Sequence, residues 1–118
     1  ISQRNRKANS KKTLETFIRP PFLTQSLAKE LGPKGIRVNA VCPVLVRTEG
    51  LVEALKDKTS PAGGKPDEFL DNFATSQTAL GALPTASQVA DMCFFLSSPQ
   101  ASAITGQSIN VDCGVLPN

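Results

Sequence analysis

The stretch best suited to contact a ligand follows a short apolar strand near the middle of the chain. Residues 36–42 form a β-rich apolar run that ends at Pro43, and the loop beyond it carries Val44 and Thr48. In an open α/β sheet, ligands bind in the crevice beyond the carboxyl ends of parallel strands. The loop that follows Pro43 is therefore the candidate ligand-binding region.

Residue types that commonly transfer protons or bind metals are missing or badly spaced. The chain contains no His, Tyr or Trp, which excludes His general bases, His-based triads and His-ligated metals. Cys42, Cys93 and Cys113 are odd in number and lack metal-ligand spacing, which favours buried, reduced thiols over a disulfide or a zinc site. The sequence thus assigns no catalytic residue and no metal ligand.

An amphipathic helix precedes the strand. Leucines recur every fourth residue from Leu23 to Leu31, with Ala28 beside them, and this spacing predicts one apolar stripe. Gly32 followed by Pro33 is the usual signal for a helix to end. A helix, a tight turn and a strand within so few residues indicate half of a βαβ unit in a mostly parallel sheet.

The sequence SLAKELGPKGIRVNAVCP, residues 26–43, resembles the short-chain dehydrogenase/reductase family in the helix and strand that follow its catalytic motif. The family's next signature is Pro-Gly, a short spacer and Thr, which contact the nicotinamide end of the cofactor. Pro43 and Thr48 fit this signature, and Val44 stands where the Gly belongs. The resemblance therefore implies NAD or NADP contact at Pro43, Val44 and Thr48, although a β-branched residue resists the turn and close approach that Gly allows.

The family's catalytic Tyr-x-x-x-Lys motif has no counterpart in this chain. An ungapped count back from the helix puts the Tyr position on Thr13 and the Lys position on Phe17. Thr lacks a comparably acidic hydroxyl, and Phe carries no charge to lower a neighbouring pKa. The Gly-rich turn that would hold the cofactor pyrophosphate is absent as well. We therefore expect the isolated chain to catalyse no hydride transfer.

The middle of the chain, residues 44–84, resembles the family's mobile substrate lid. Apolar spacing predicts a short helix after Thr48 and a second one beginning near Asp67, joined by the turn-rich loop Lys56–Pro66. Phe69 and Phe73 on the second helix either line a substrate pocket or, as we favour, pack on the sheet. Such a long connection is typical of a functional loop or an insertion.

The clearest helix after the first spans Thr85–Leu96, with Thr85 and Gln88 as a capping box. Its expected apolar face comprises Val89, Met92, Cys93 and Leu96. A last strand is predicted at Gln107–Val111. The family usually closes with Asp-Gly-Gly, here Asp112-Cys113-Gly114, and Asp112 is interpreted as a turn residue that bonds nearby backbone.

Charge is unevenly distributed along the chain. Five basic residues and no acid occur in residues 1–12, so the remainder is slightly acidic although the whole chain has a net charge of +3. We interpret residues 1–21 as a basic segment, disordered or unrelated to the family, and residues 22–118 as the family-like part. Nucleic-acid binding is not expected, because no aromatic residue interleaves the charges of residues 1–12. The lack of a signal peptide or a membrane-length apolar run predicts a cytoplasmic protein.

These features predict an α/β fold, a partial Rossmann-like doubly wound parallel sheet with its last two strands and flanking helices. Three functional readings remain open. The chain is the C-terminal part of an NAD(P)-dependent oxidoreductase, inactive alone. Alternatively, it is a non-catalytic module that forms homo- or hetero-oligomers with full-length relatives, through the helix Phe22–Leu31 and the C-terminal helix and strand. The third reading is a truncated product without its own function, because two parallel strands alone are seldom stable. The substrate and the choice between NAD and NADP stay open.

Overall fold

The computed structural model of the protein describes residues 20–115. Thr13, Phe17 and most of the basic segment at residues 1–21 lie outside the described residues. The helices are α1 Pro20–Leu31, α2 Glu49–Leu55, α3 Pro66–Gln77 and α4 Ala86–Ser97, with 3-10 turns at Gly32–Lys34 and Pro99–Ala101. The strands are β1 Ala40–Pro43 and β2 Ser108–Val111. The predicted α/β order is confirmed.

The chain divides into two compact units. Of the described residues, the first unit comprises 20–42 and Phe94–Ile109, and the second comprises Pro43–Cys93 and 110–115. In the first unit, Ala28, Leu96 and Ala101 are buried. In the second unit, Leu70 is fully buried, and Leu55 and Ala74 are buried as well. The candidate binding residues Pro43, Val44 and Thr48 all belong to the second unit.

Strands β1 and β2 pair in a parallel two-stranded sheet. The Gly106 N–H donates to the Val38 carbonyl at 2.7 Å, and the Ala40 N–H donates to the Gln107 carbonyl at 2.8 Å. From the first bond to the second, the residue number increases on both strands, as parallel pairing requires. The loops that follow the two strands therefore leave the sheet at its carboxyl edge.

The first strand is shorter than predicted, because side chains form several of the bonds that join residues 38 and 39 to residues 104–107. The Asn39 amide donates to the Ile104 carbonyl at 3.0 Å and accepts the Gln107 N–H at 3.1 Å. The Val38 N–H donates to the Thr105 hydroxyl at 3.1 Å. These bonds satisfy the backbone without a regular ladder, so β1 begins at Ala40 and not at Ile36.

Helix α1 ends at Leu31, where the Gly-Pro signal predicted, and a separate short turn follows it. A 3-10 turn, Gly32–Lys34, continues beyond Leu31, and the left-handed cap residue is Gly35, with φ of 75°. Pro33 is compatible with this continuation because it occupies one of the first positions of the turn, where no N–H is needed. The chain therefore makes one more tight turn, capped by Gly35, between the helix and the strand.

The burial of α1 also differs from the prediction. Leu23, expected on the buried stripe, is 43% exposed, whereas Thr24 and Ala28 on the adjacent rows are buried. In the same unit, Phe22, Phe94 and Phe95 are exposed. The side of α1 that faces its own unit is thus the small-residue side, and the leucine side is partly uncovered.

The beginning of α4 is confirmed in atomic detail. The Gln88 N–H donates to the Thr85 hydroxyl at 3.1 Å, and the Thr85 N–H donates to the Gln88 side-chain oxygen at 2.9 Å. This reciprocal pair is the predicted capping box. On its expected apolar face, Leu96 is buried but Cys93 is exposed.

None of the helices in the described part of the chain combines the length and the apolar character needed to cross a membrane. The cytoplasmic location stays a prediction.

Candidate functional site

The structure brings the three predicted binding residues together in one loop at the carboxyl end of β1. Pro43 is the last residue of the strand and is exposed, Val44 is half-buried, and Thr48 is exposed directly before α2. The location agrees with the expected position for a ligand contact in a parallel sheet. We call residues Pro43–Thr48 the β1 loop.

Thr48 caps the N-terminus of α2. Its hydroxyl oxygen accepts the Leu51 N–H at 3.2 Å, and its carbonyl accepts the Val52 N–H at 3.0 Å. An oxygen that accepts in this way keeps its own O–H as a donor. The cap therefore fixes the hydroxyl in place without using the proton that a ligand oxygen would accept.

Val44 takes a backbone conformation that any residue can adopt. Within residues 20–115, Cys113 is the one non-glycine residue with positive φ. The Gly of the family signature is therefore not required here for a left-handed turn. What Val44 changes is the space beside the backbone, where its branched side chain stands in place of a hydrogen atom.

Arg47 is a site residue that the sequence reasoning missed. Its Nη1 lies 2.7 Å from Asp67 Oδ1, and its Nη2 lies 2.8 Å from Asp71 Oδ1. The two aspartates lie one turn apart on α3, so a single guanidinium bridges both. The one available signal was the i, i+4 spacing of the aspartates, because Arg47 precedes them by 20 and 24 residues.

Two open cavities adjoin Arg47. One has a volume of about 450 Å³ and is lined by Arg47, Thr48, Glu49, Val52, Glu53 and Lys56. The other has a volume of about 310 Å³ and is lined by Arg47, Ala74, Leu83, Pro84, Thr85 and Ala86. The lining of the first cavity combines Thr48 with charged side chains, whereas the lining of the second cavity is mainly apolar. Arg47 is the residue common to both.

The loop between α2 and α3 holds the Asp57 carboxylate in a tight local turn. The Asp57 carboxylate accepts the Thr59 N–H at 2.8 Å and the Thr59 hydroxyl at 2.7 Å. These bonds, the backbone bond first, hold the pKa of Asp57 below its ordinary value. The arrangement stabilises the turn and brings no second titratable group to the carboxylate.

The predicted α2 and α3 helices are confirmed, and Phe69 and Phe73 are half-buried on α3. Phe69 borders a further open cavity with Ala62, Lys65, Glu68 and Asn72. The half-buried state of both rings is compatible with packing within the second unit. Their role toward a substrate stays a prediction.

The cysteines are less buried than predicted. Cys93 is exposed, and Cys42 and Cys113 are half-buried; among the described residues, none of them forms a disulfide. The exposure of Cys93 follows from its position on the uncovered side of α4. No group of three or more His, Cys, Asp or Glu residues within residues 20–115 is arranged to hold a metal ion.

Comparison with known proteins identifies relatives over most of the chain. A family model described as enoyl-(acyl carrier protein) reductase matches residues 5–116. A short-chain dehydrogenase/reductase of Armillaria gallica is 40% identical over 94 residues, covering 80% of this chain and 34% of the relative. A diacetyl reductase, (S)-acetoin forming, of Staphylococcus aureus is 38% identical over 93 residues, covering 79% of this chain and 36% of the relative.

The fold has counterparts among solved structures. The L-sorbose reductase of Gluconobacter frateurii, solved with NADPH and L-sorbose, is similar with a TM-score of 0.72 at 26% identity, covering 83% of this chain and 37% of that protein. This similarity confirms the predicted Rossmann-like fold. The chain spans about a third of the length of the curated relatives it matches. Because the matched range begins ahead of Phe22, the boundary between residues 1–21 and 22–118 stays a prediction.

Proposed function

Because this chain belongs to the short-chain dehydrogenase/reductase family, we propose that it is the C-terminal portion of an NAD(P)-dependent oxidoreductase. In this proposal the β1 loop forms one wall of the nicotinamide site. Relatives named as reductases, one of them solved with NADPH, support the reaction class. The cofactor, when bound, supplies or accepts a hydride.

The observation that carries the proposal is the fixed, available hydroxyl of Thr48 at the carboxyl end of β1. The cap bond to Leu51 N–H restricts the Thr48 side chain, so its O–H donates in a defined direction to an amide or phosphate oxygen. Pro43 places no N–H at the strand end. The Val44 side chain leaves less space for the cofactor beside the backbone, so the contact between cofactor and backbone is weaker than it would be with a glycine.

The proposal includes that these 118 residues catalyse no hydride transfer by themselves. Reduction of a carbonyl group requires a proton for the substrate oxygen as well as a hydride, and the family's proton donor is a Tyr, which this chain does not contain. The matching positions are Thr13 and Phe17. A proton donor must therefore come from outside these residues, or the chain stays inactive.

Saturation-transfer NMR with NADH and NADPH tests the cofactor contact, because it detects weak binding and shows which end of the ligand is touched. We expect saturation to be strongest on the nicotinamide protons. The variant T48V removes the hydroxyl and should reduce that signal several-fold, whereas T48S keeps both the hydroxyl and the cap and should preserve it.

Two results would overturn the proposed contact. One is saturation centred on the adenine protons, which would place the contact at the opposite end of the cofactor. The other is an identical nicotinamide signal in T48V and the unmodified chain, which would remove Thr48 from the site.

A second candidate function is pairing with full-length relatives, supported by the uncovered apolar side chains of the first unit. Phe94 is 79% exposed on α4, and Phe22, Leu23 and Phe95 are also exposed. Large exposed apolar side chains of this kind are typical of interaction surfaces. In this reading the chain binds through α1 and the C-terminal helix and strand.

Size-exclusion chromatography with a tagged intact relative, such as the diacetyl reductase, tests the pairing. We expect co-elution with the unmodified chain and its loss in F94E. The matched control is L80E, because Leu80 is similarly exposed, at 76%, but belongs to the second unit. Separate elution of the unmodified chain, or equal loss in both variants, would contradict pairing through α4.

A further inference from the structure

Arg47 links two parts of the second unit that are distant in the sequence. The residue lies in the β1 loop, directly before Thr48, and both of its terminal nitrogens contact carboxylates of α3 at 2.7 and 2.8 Å. Each nitrogen has a different partner, so the guanidinium is held by two charge-assisted bonds. Such bonds are shorter and stronger than bonds between neutral groups.

The register of α3 makes this bridge possible. Asp67 and Asp71 are separated by one helical turn and lie on the same face. A planar guanidinium can reach both carboxylates at once, whereas a lysine ammonium is a point charge on a flexible stem. The bridge therefore requires an arginine at this position and both aspartates on the helix.

A local backbone bond also shapes the loop around Arg47. The Thr48 N–H donates to the Val46 carbonyl at 2.7 Å, which makes Arg47 the central residue of a three-residue turn. Thr48 then begins α2. Any displacement of the Arg47 backbone therefore changes the position of the Thr48 hydroxyl.

All three charged side chains are accessible to solvent. Arg47 is 41% exposed, Asp67 is 82% exposed, and Asp71 is 73% exposed. Dissolved ions screen interactions between exposed charges, and exposed ion pairs contribute little to global stability. A bridge of this kind adjusts a local equilibrium and is weakened by salt.

We propose that Arg47 is a positioning residue that fastens α3 to the β1 loop, so that the lid and the Thr48 contact are held together at low salt and released together at high salt. The inference rests on the proposed role of Thr48 in cofactor contact. It adds that the geometry of this contact depends on Arg47, whose side chain bonds to Asp67 and Asp71 on α3.

Hydrogen–deuterium exchange of the 118-residue chain tests this coupling without any cofactor. We expect R47Q to accelerate amide exchange about 3- to 10-fold in both residues 44–55 and residues 66–77. The double variant D67N/D71N should have the same effect on the same two segments. High salt should accelerate both segments in the unmodified chain and change little in either variant.

The matched control is K56Q, which breaks an exposed ion pair of 3.0 Å between Lys56 and Glu53. This pair joins neighbouring residues and does not reach α3, so its loss should leave exchange in residues 66–77 unchanged. R47K should restore part of the protection, because lysine keeps the charge but cannot bridge both carboxylates. The charge-reversed variant R47D/D71R should restore part of it as well.

Several results would overturn the proposal. Unchanged exchange in R47Q would show that packing between α2 and α3 is sufficient. Acceleration that extends equally into α1 would indicate general destabilisation instead of a local coupling. Uniformly fast exchange in the unmodified chain would show that α3 is not held to the β1 loop. The NMR experiment on T48V can fail while this coupling holds, so the two failures are distinguishable.

Discussion

Two loops leave the carboxyl ends of neighbouring parallel strands, and they are held by different forces. The loop after β2 is held by one backbone bond and one local side-chain bond: the Leu80 N–H donates to the Cys113 carbonyl at 3.0 Å, and the Gly114 N–H donates to Asp112 Oδ1 at 2.9 Å. The loop after β1 has one local backbone bond, from the Thr48 N–H to the Val46 carbonyl, and is joined to α3 by the exposed charges of Arg47, Asp67 and Asp71.

The difference concerns how each loop responds to its surroundings. Close backbone packing is insensitive to ionic strength, whereas exposed ion pairs are screened by salt. The loop after β1, which is proposed to contact the cofactor, is therefore expected to change with salt concentration. The turn after β2 is expected to stay rigid. This division is expected of a binding loop beside a lid, because regions that move on binding are drawn from the least stable parts of a fold.

The largest effect is expected from G114A. Gly114 has φ of 90°, and an added Cβ would lie 2.5 Å from the Ala79 Cβ. Strain and overcrowding together should lower the free energy of unfolding by about 2–4 kcal/mol. Urea unfolding at low and high salt measures this, and the loss should be the same at both. A loss under about 0.5 kcal/mol would contradict rigid packing of this turn.

A smaller effect is expected at Cys113, which has φ of 56°. The left-handed conformation is unfavourable for residues with a Cβ, and the family has Gly at this position. C113A and C113G both remove the thiol, so the difference between their free energies of unfolding reports the effect of the backbone conformation. C113G should be more stable than C113A by about 1 kcal/mol in urea unfolding. Equal stability would show that this backbone carries no strain.

The smallest effect is expected in the loop between α2 and α3, where Thr59 lowers the pKa of Asp57. The lowered pKa means that folding favours the charged carboxylate, so this stabilisation is present above the ordinary aspartate pKa and is lost as pH falls through the lowered value. T59A removes the hydroxyl bond but keeps the backbone bond. The pKa of Asp57 should therefore rise part of the way toward normal in a carbon-detected NMR titration. An unchanged midpoint would contradict the role of the hydroxyl.

Local sequence signals predicted much of the fold. The capping box of Thr85 and Gln88, the α3 start near Asp67 and the Asp112 turn were correct because each depends on residues within one turn of one another. The resemblance to a family added the parallel pairing of two strands that are far apart in the sequence.

Features that depend on distant residues were predicted poorly. The late start of β1 results from the Asn39 side chain, which bonds to the Ile104 carbonyl and the Gln107 N–H. The spacing of apolar residues along the sequence cannot predict these side-chain bonds. The exposure of Leu23 and Cys93 was also missed, because an apolar stripe predicts which side can be buried but not whether a neighbour covers it. The ion pairs of Arg47 with α3 were not predicted either, because they join residues that are distant in the sequence.

The most direct test of the account is an assay for hydride transfer by the purified 118-residue chain. NADPH and NADH oxidation would be followed by absorbance with diacetyl and L-sorbose, the compounds named for two relatives, and an intact diacetyl reductase would serve as the positive control. The account predicts no turnover above the uncatalysed rate, because these residues include the proposed cofactor contact at Thr48 but no Tyr to protonate the substrate oxygen. Turnover by this chain, abolished in T48V, would contradict it.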